Sequence, residues 1–157
     1  MKRIILLVIL FWSVETEGFG QYKGQYRLQS GNEINVQAGL FGINFTGEAF
    51  PLEHISFTPS LTFLLPATGK ATNVHLDFRY YFTEEKFEFY SLLGYGLFRR
   101  RFEFSLEPAV TNINSVNLGA GMIYKFLDEL GINGEVKFQP QNNGEVIVRV
   151  GLSYFIN

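Results

Sequence analysis

The chain contains no cysteine. A disulfide scaffold, a thiolate metal centre and a lipid anchor on a cysteine are therefore excluded. Charge is scarce: Asp, Glu, Lys and Arg make up 18% of the 157 residues, against roughly a quarter in soluble domains. Neither sign dominates, since 13 basic and 15 acidic residues leave a formal charge of −2. Nucleic-acid binding, which normally shows as a basic patch, has no footing here. The longest uninterrupted apolar run, Ile4–Trp12, is too short for a transmembrane helix. Helix signals are nearly missing, because no stretch after it keeps apolar residues at a 3.6 period for three turns. What is abundant is aromatic and small: 17 Phe, 8 Tyr and 16 Gly. That aromatic content excludes disorder, and the length suits one domain. The composition fits a rigid, aromatic-rich β protein in an unusual solvent.

Residues 1–20 read as an address label. Lys2 and Arg3 precede the apolar run, the more polar Ser13–Glu17 follows, and Gly18 and Gly20 stand at −3 and −1 of a cut before Gln21. This is the order of a cleavable secretory signal peptide. The expected domains are therefore a signal peptide over 1–20 and one mature domain over 21–157, exported and still carrying −2.

Period two runs through the remainder. Val74, Leu76, Phe78, Tyr80 and Phe82 alternate with Asn73, His75, Asp77, Arg79 and Tyr81. Val116, Leu118, Ala120, Met122, Tyr124 and Phe126 alternate with Asn117, Gly119, Gly121, Ile123 and Lys125. Leu130–Gln139 and Val146–Ile156 repeat the pattern. Pro59 suggests a bulge or an edge within 53–65, and a segment over 33–45 shifts phase around Phe41 and Gly42. With 87–107 as one long strand, eight strands result: 22–29, 33–45, 53–65, 72–82, 87–107, 115–126, 129–139 and 145–156. Splitting 87–107 gives nine, an odd count that a closed transmembrane barrel does not favour. The expected fold is an all-β, eight-stranded antiparallel up-and-down transmembrane β-barrel. Turns at 46–52, 83–86 and 127–128 would lie on the terminal, periplasmic side. Those at 29–33, 66–71, 108–114 and 140–144 would lie outside.

A soluble lipocalin-like barrel alternates too, with its apolar face inward around a ligand. Glycine separates the two readings. Gly39, Gly94, Gly96, Gly119, Gly121 and Gly151 share the phase of the polar set, as does Ser153. On a wet surface such glycines weaken strands for no gain, whereas inside a narrow barrel they leave room for long neighbours. The polar set would form an interior network of His75, Asp77, Arg79, Glu88, Lys125, Glu135, Lys137 and Arg149. Tyr22, Tyr26, Phe82, Phe87, Phe89, Phe126, Phe138 and Tyr154 near strand ends would form an aromatic belt. Eight strands enclose side chains rather than an aqueous channel, which argues against porin activity and for a non-enzymatic structural or surface-accessory role. The alternative is a secreted or periplasmic lipocalin-like carrier of small hydrophobic ligands.

The signal peptide, the hairpin NLGAGMIYKFLDELGINGEVKFQ at Asn117–Gln139 and the terminal strand VRVGLSYFIN at Val148–Asn157 resemble small outer-membrane β-barrel proteins of Gram-negative bacteria. The Gly-x-Gly strand and the Asp-containing turn are closest to barrels of Bacteroidota. The resemblance implies integral outer-membrane residence and insertion by the outer-membrane assembly machinery after periplasmic chaperoning. It also implies an assembly signal in the last strand, at Tyr154, Phe155 and Ile156. That signal usually ends in an aromatic residue, whereas here Ile156 and Asn157 come last. Accessory barrels of conjugative-transfer systems belong to the same broad group, but this chain is short for one.

Three constellations invite chemistry. His54 and Ser56 are two apart, with Glu53, Glu103 or Glu107 as a carboxylate partner. They resemble the His-x-Ser pair of an outer-membrane lipid A deacylase family, in which Ser is nucleophile and His general base. That family carries the pair near its C-terminus with a following asparagine, where this chain has Phe57. The simpler reading is polar residues near a barrel rim. His75 with Asp77 fits an interior charge network better than a dyad, and two histidines are too few for a metal site. Arg99, Arg100 and Arg101, the sole basic run, suit contact with lipopolysaccharide phosphates or a solvated rim. No cofactor, metal or nucleic acid is expected; the expected partners are outer-membrane lipid and the assembly machinery, around a monomer.

Overall fold

A computed structural model describes residues 23–83, 85–102 and 109–156. The expected signal peptide, Tyr22, Glu103 and Glu107 lie outside the described residues. Eight strands follow in chain order: β1 (Tyr26–Asn35), β2 (Leu40–Leu52), β3 (Ile55–Leu64), β4 (Lys70–Tyr81), β5 (Phe87–Arg101), β6 (Val110–Lys125), β7 (Leu130–Gln139) and β8 (Glu145–Ile156). Each pairs antiparallel with the next, and β1 pairs with β8, so the sheet closes into a barrel. Closure leaves no edge strand and gives every strand two hydrogen-bonded neighbours. The expected eight-stranded antiparallel architecture is the one found. Residues 87–101 form one strand of 15 residues, not two.

The first hairpin departs from expectation. The stretch Gln29–Glu33 is not a turn: it lies within β1, paired with β2 on one side and β8 on the other. Ser-Gly-Asn carries turn chemistry, but Gly31 is needed for a different reason. A methyl group on it would collide with Val150 O and the Gly151 Cα of β8. The paired glycines let the two backbones come together where the barrel closes. The turn falls at 36–39, where Gly39 has φ 62°; the phase shift near Phe41 is this hairpin. Glu145 of β8 holds the turn in place, accepting from Gln37 N at 2.8 Å and Ala38 N at 3.0 Å.

The expected connection at 46–52 is instead the second half of β2. The turn to β3 is Glu53–His54, with His54 at φ 63°. A register shift between Ala49 and Leu52, beside Pro51, absorbs the bend. Pro59 makes no edge: β3 stays in register with β4 through it, while the ladder to β2 lapses between Thr46 and Ala49. A missing N–H accounts for that lapse. Strand β6 starts earlier than expected, because Thr111, Asn112 and Asn114 pair with Arg100, Arg99 and Leu97 of β5.

The two faces are inverted relative to a water-soluble protein. Thirty-five large apolar side chains are exposed among the described residues, and eleven apolar residues are buried. The exposed ones include Leu28, Phe45, Phe63, Phe78, Leu93, Val136 and Leu152, all on the outward phase of their strands. Soluble monomers rarely expose more than a few hundred Å² of contiguous apolar surface. Outward aromatics crowd the end where the termini lie. Phe57 packs on Phe78 at 5.4 Å between ring centroids, Tyr80 on Phe82 at 5.3 Å, and Phe87 on Tyr124 at 4.8 Å.

Candidate functional site

The candidate site is the barrel interior, which alternation fills with polar residues from all eight strands. His75, Asp77, Arg79, Glu88, Glu135, Lys137 and Arg149 are buried, and Lys125 is half-buried. Four further members lie outside the interior set expected from the sequence: Arg27, Glu33, Glu48 and Tyr90. Five cations (Arg27, Arg79, Lys125, Lys137, Arg149) then face five acids (Glu33, Glu48, Asp77, Glu88, Glu135), and each of these acids has a cationic partner; a sixth buried acid, Glu145, is held at the first hairpin by backbone N–H groups instead. Such balance is a condition for burial, because an unpaired charge in a low dielectric costs several kcal/mol.

The pairs span the lumen. Near the terminal end, Arg27 Nη1 of β1 donates to Glu88 Oε2 of β5 at 2.6 Å, from one side of the barrel to the opposite one. Lys125 also pairs with Glu88. The Arg27 guanidinium lies between the Phe50 and Phe155 rings, 4.5 and 4.6 Å from their centroids. At mid-height Arg79 Nη2 donates to Glu135 Oε2 at 2.5 Å and Nη1 to Glu48 Oε2 at 3.3 Å. Glu48 also accepts from Gln29, Ser56 and Tyr81, and Glu135 from Tyr90. Higher up, Arg149 Nε donates to Glu33 Oε2 at 2.6 Å, Lys137 pairs with Asp77, and Asn117 joins Asp77 to His75. Toward the loop end Leu40, Leu64, Ala71 and Phe98 form an apolar cap against Ile113.

Small residues make room for these chains. A methyl on Gly94 would strike the Asp77 carboxylate, one on Gly96 Gln139 and Asn117, and one on Gly121 the Tyr90 hydroxyl. Gly119 and Gly151 face neighbouring backbone in the same way, and Ser153 is buried. Gly39 must be corrected: it sits exposed in the 36–39 turn, because the strand expected to carry it inward is a hairpin. The lipocalin-like carrier alternative is also corrected. It needs an apolar interior, and here the interior carries the charge while the apolar side chains face out. Two grooves, of about 490 and 260 Å³, lie against the outer wall, the larger between Leu28, Phe45, Leu152 and Tyr154.

The structure does not assemble the His54–Ser56 pair. Ser56 is wholly buried and donates to Glu48 Oε1 at 2.5 Å, with Thr58 Oγ1 at 3.4 Å. His54 is in the left-handed turn before β3, its ring 6.2 Å from the outward Tyr80 ring. The turn breaks the alternation that would have put both on one face. His75 Nε2 lies 3.9 Å from Glu33, inside the packed network. Among the described residues no group of three or more His, Cys, Asp or Glu is placed to hold a metal. Arg99 and Arg101 point outward and are exposed, whereas Arg100 turns to the inner side with its guanidinium 4.5 Å over Phe102. Tyr154 and Ile156 face out, and Phe155 faces in beneath Arg27.

No protein-family model and no curated protein sequence matches the chain. Solved structures do. The N-terminal β-barrel domain of Pseudomonas aeruginosa OprF superposes with a TM-score of 0.73 at 16% identity, covering 87% of this chain and 100% of that one. Ail, the attachment invasion locus protein of Yersinia pestis, crystallised with the heparin analogue sucrose octasulfate, gives 0.66 at 15% identity over 85% of this chain and 99% of its own. Neisserial surface protein A gives 0.58 at 11% identity over 84% and 94%. The chain has the closed eight-stranded fold of these outer-membrane barrels.

Proposed function

We propose that this chain is an integral outer-membrane barrel with a plugged polar interior and a structural or surface-accessory role rather than a catalytic or channel-forming one. The observation that carries the reading is the inversion of faces: an outer wall that is apolar apart from a few small polar residues such as Ser30, Asn32 and Ser91, around a charge-balanced core. Only a lipid solvent makes that arrangement favourable, since each outward Leu or Phe is then removed from water. Every strand has at least ten residues, enough for a tilted strand to cross the hydrocarbon core. The aromatic concentration at the terminal end fits an interfacial girdle.

Export follows from the pattern of residues 1–20, and the mature domain begins at Gln21. The termini then lie on the periplasmic side, beside the short turn at Glu53–His54 and the connections after β4 and β6. The outward Tyr154 and Ile156 and the resemblance of the last strand support insertion by the outer-membrane assembly machinery, in a Gram-negative, Bacteroidota-like envelope. Cross-lumen pairs such as Arg27–Glu88 fill the lumen with side chains, which supports a barrel that does not conduct ions.

Purified protein folded into phosphatidylcholine vesicles tests the reading. It should migrate faster on a gel unheated than boiled, stay with the vesicles after alkaline washing, and give no steps in planar-bilayer conductance. A monomer that remains in the aqueous phase without detergent would overturn the membrane assignment, and discrete conductance steps would overturn the plugged interior.

A further inference from the structure

We propose that Lys70, Arg99 and Arg101 form a binding site for the phosphate groups of an anionic glycolipid in the outer leaflet. The inference rests on the outer-membrane reading. The three residues belong to neighbouring strands: Lys70 of β4 is the register partner of Arg101 of β5, and Arg99 lies two residues along β5 opposite Thr72. All three are exposed and on the outward phase. With strands about 4.8 Å apart and residues of one face about 6.8 Å apart, their stems start close enough for the heads to converge on one phosphate. Asn112 of β6, exposed and paired with Arg99, adds an amide on the other flank.

The height of the cluster selects the ligand. Directly below it on the same face are Val74, Tyr95, Leu97 and Val116, all exposed and apolar. Past Val74, Leu97 and Val116 the outward positions of β4, β5 and β6 turn polar, with Lys70, Thr72, Arg99, Arg101, Asn112 and Asn114, and only Val110, opposite Arg101, is apolar there. This switch marks the boundary between hydrocarbon and headgroups, on the side away from the termini. The strands β5 and β6 continue past it as a paired ribbon, whereas β6 meets β7 only from Leu118. A basic surface therefore stands upright at headgroup level.

No ion pair is formed by Lys70, Arg99 or Arg101 with any described residue. Elsewhere in the barrel every cation of the network has its acid, so this group, without an acid partner among the described residues, stands apart. Arg guanidinium binds phosphate oxygens bidentately, and Lys adds a compact charge. Arg100, although in the same sequence run, faces inward and takes no part.

The test uses the full mature chain in detergent, with bisphosphorylated lipid A as probe and its dephosphorylated form as control, counted by native mass spectrometry. A basic residue at a charged membrane surface contributes roughly fivefold in affinity. The triple variant Lys70→Gln, Arg99→Gln, Arg101→Gln should therefore bind the bisphosphorylated lipid on the order of a hundredfold more weakly, and Arg100→Gln within about twofold of the parent. The dephosphorylated lipid should bind parent and triple variant alike. Equal binding of bisphosphorylated lipid A by parent and triple variant, or an equal loss in Arg100→Gln, overturns the site. Heat-modifiable migration of the parent reports separately on the membrane reading, so a folded barrel that ignores lipid A refutes this site alone.

Discussion

Glu135 is the acid on which most of the interior converges, and Glu135→Gln tests whether that network holds the barrel together. Its carboxylate accepts from Arg79 Nη2 at 2.5 Å, Tyr90 Oη at 2.9 Å and Arg149 Nη1 at 3.3 Å, with Lys137 Nζ at 3.1 Å. Gln keeps the volume and one acceptor but removes the charge, and turns an NH₂ toward cations (Arg79, or Arg149 and Lys137) that cannot accept from it. Breaking a buried ion pair from one side costs about 3–5 kcal/mol. Each cation here retains a second acid, Arg79 with Glu48 at 3.3 Å, Arg149 with Glu33 at 2.6 Å and Lys137 with Asp77. That compensation puts the expected loss at the lower end, about 3 kcal/mol. The assay is urea unfolding in phosphatidylcholine vesicles followed by circular dichroism, since the one tryptophan, Trp12, precedes the proposed mature domain. Adding Arg79→Gln completes a double-mutant cycle, and coupling of at least about 1 kcal/mol is expected for residues in contact. A cost for Glu135→Gln below about 1 kcal/mol, or a purely additive cycle, would refute the network as a source of stability.

Three further predictions follow from the same geometry. Gly121→Val drives a side chain into the Tyr90 ring and should cost about 1–3 kcal/mol, whereas Gly134→Val, outward with nothing within 4 Å, should be neutral or slightly stabilising; vesicle unfolding midpoints compare them. Leu93→Arg, on the outer wall at 58% exposure, should cost about 2–4 kcal/mol in a bilayer yet leave the net interior charge untouched. Ser56→Ala removes the hydrogen bond to Glu48 and should cost about 1–2 kcal/mol. It should also leave cellular lipid A acylation unchanged by mass spectrometry, and an altered acyl count would revive the hydrolase reading.

Much of the barrel was legible because one face of each strand is apolar and the other lines a polar core, so period two persists over whole segments. Strands β4, β7 and β8 and most of β6 carry it without interruption, and their inward residues were read in the right phase. The first hairpin was not legible for a definite reason. Its strand contains Ser30, Gly31 and Asn32, which read locally as a turn, while the demand for glycine comes from Gly151 on β8, 120 residues away in sequence. That error moved Glu33 to a strand start and Gly39 indoors, and reading 46–52 as a loop hid Glu48. One signal could have recovered both acids. The inward set, with Arg27 counted, held five cations and three acids, an imbalance of two that a sealed interior does not tolerate. The split of Arg99–Arg101 between two faces follows from strand parity alone once β5 is known to continue through them.

The central claim is that the alternating outer face of this barrel meets lipid, and the absence of cysteine makes it directly measurable. Single cysteines introduced from Asn73 to Phe82 along β4, nitroxide-labelled and reconstituted into bilayers, report collision rates with oxygen and with a water-soluble nickel chelate. The account predicts high oxygen and low nickel accessibility at positions 74, 76, 78 and 80, alternating with protection from both at 75, 77 and 79. Nickel accessibility at the outward positions equal to that of a loop residue would contradict it.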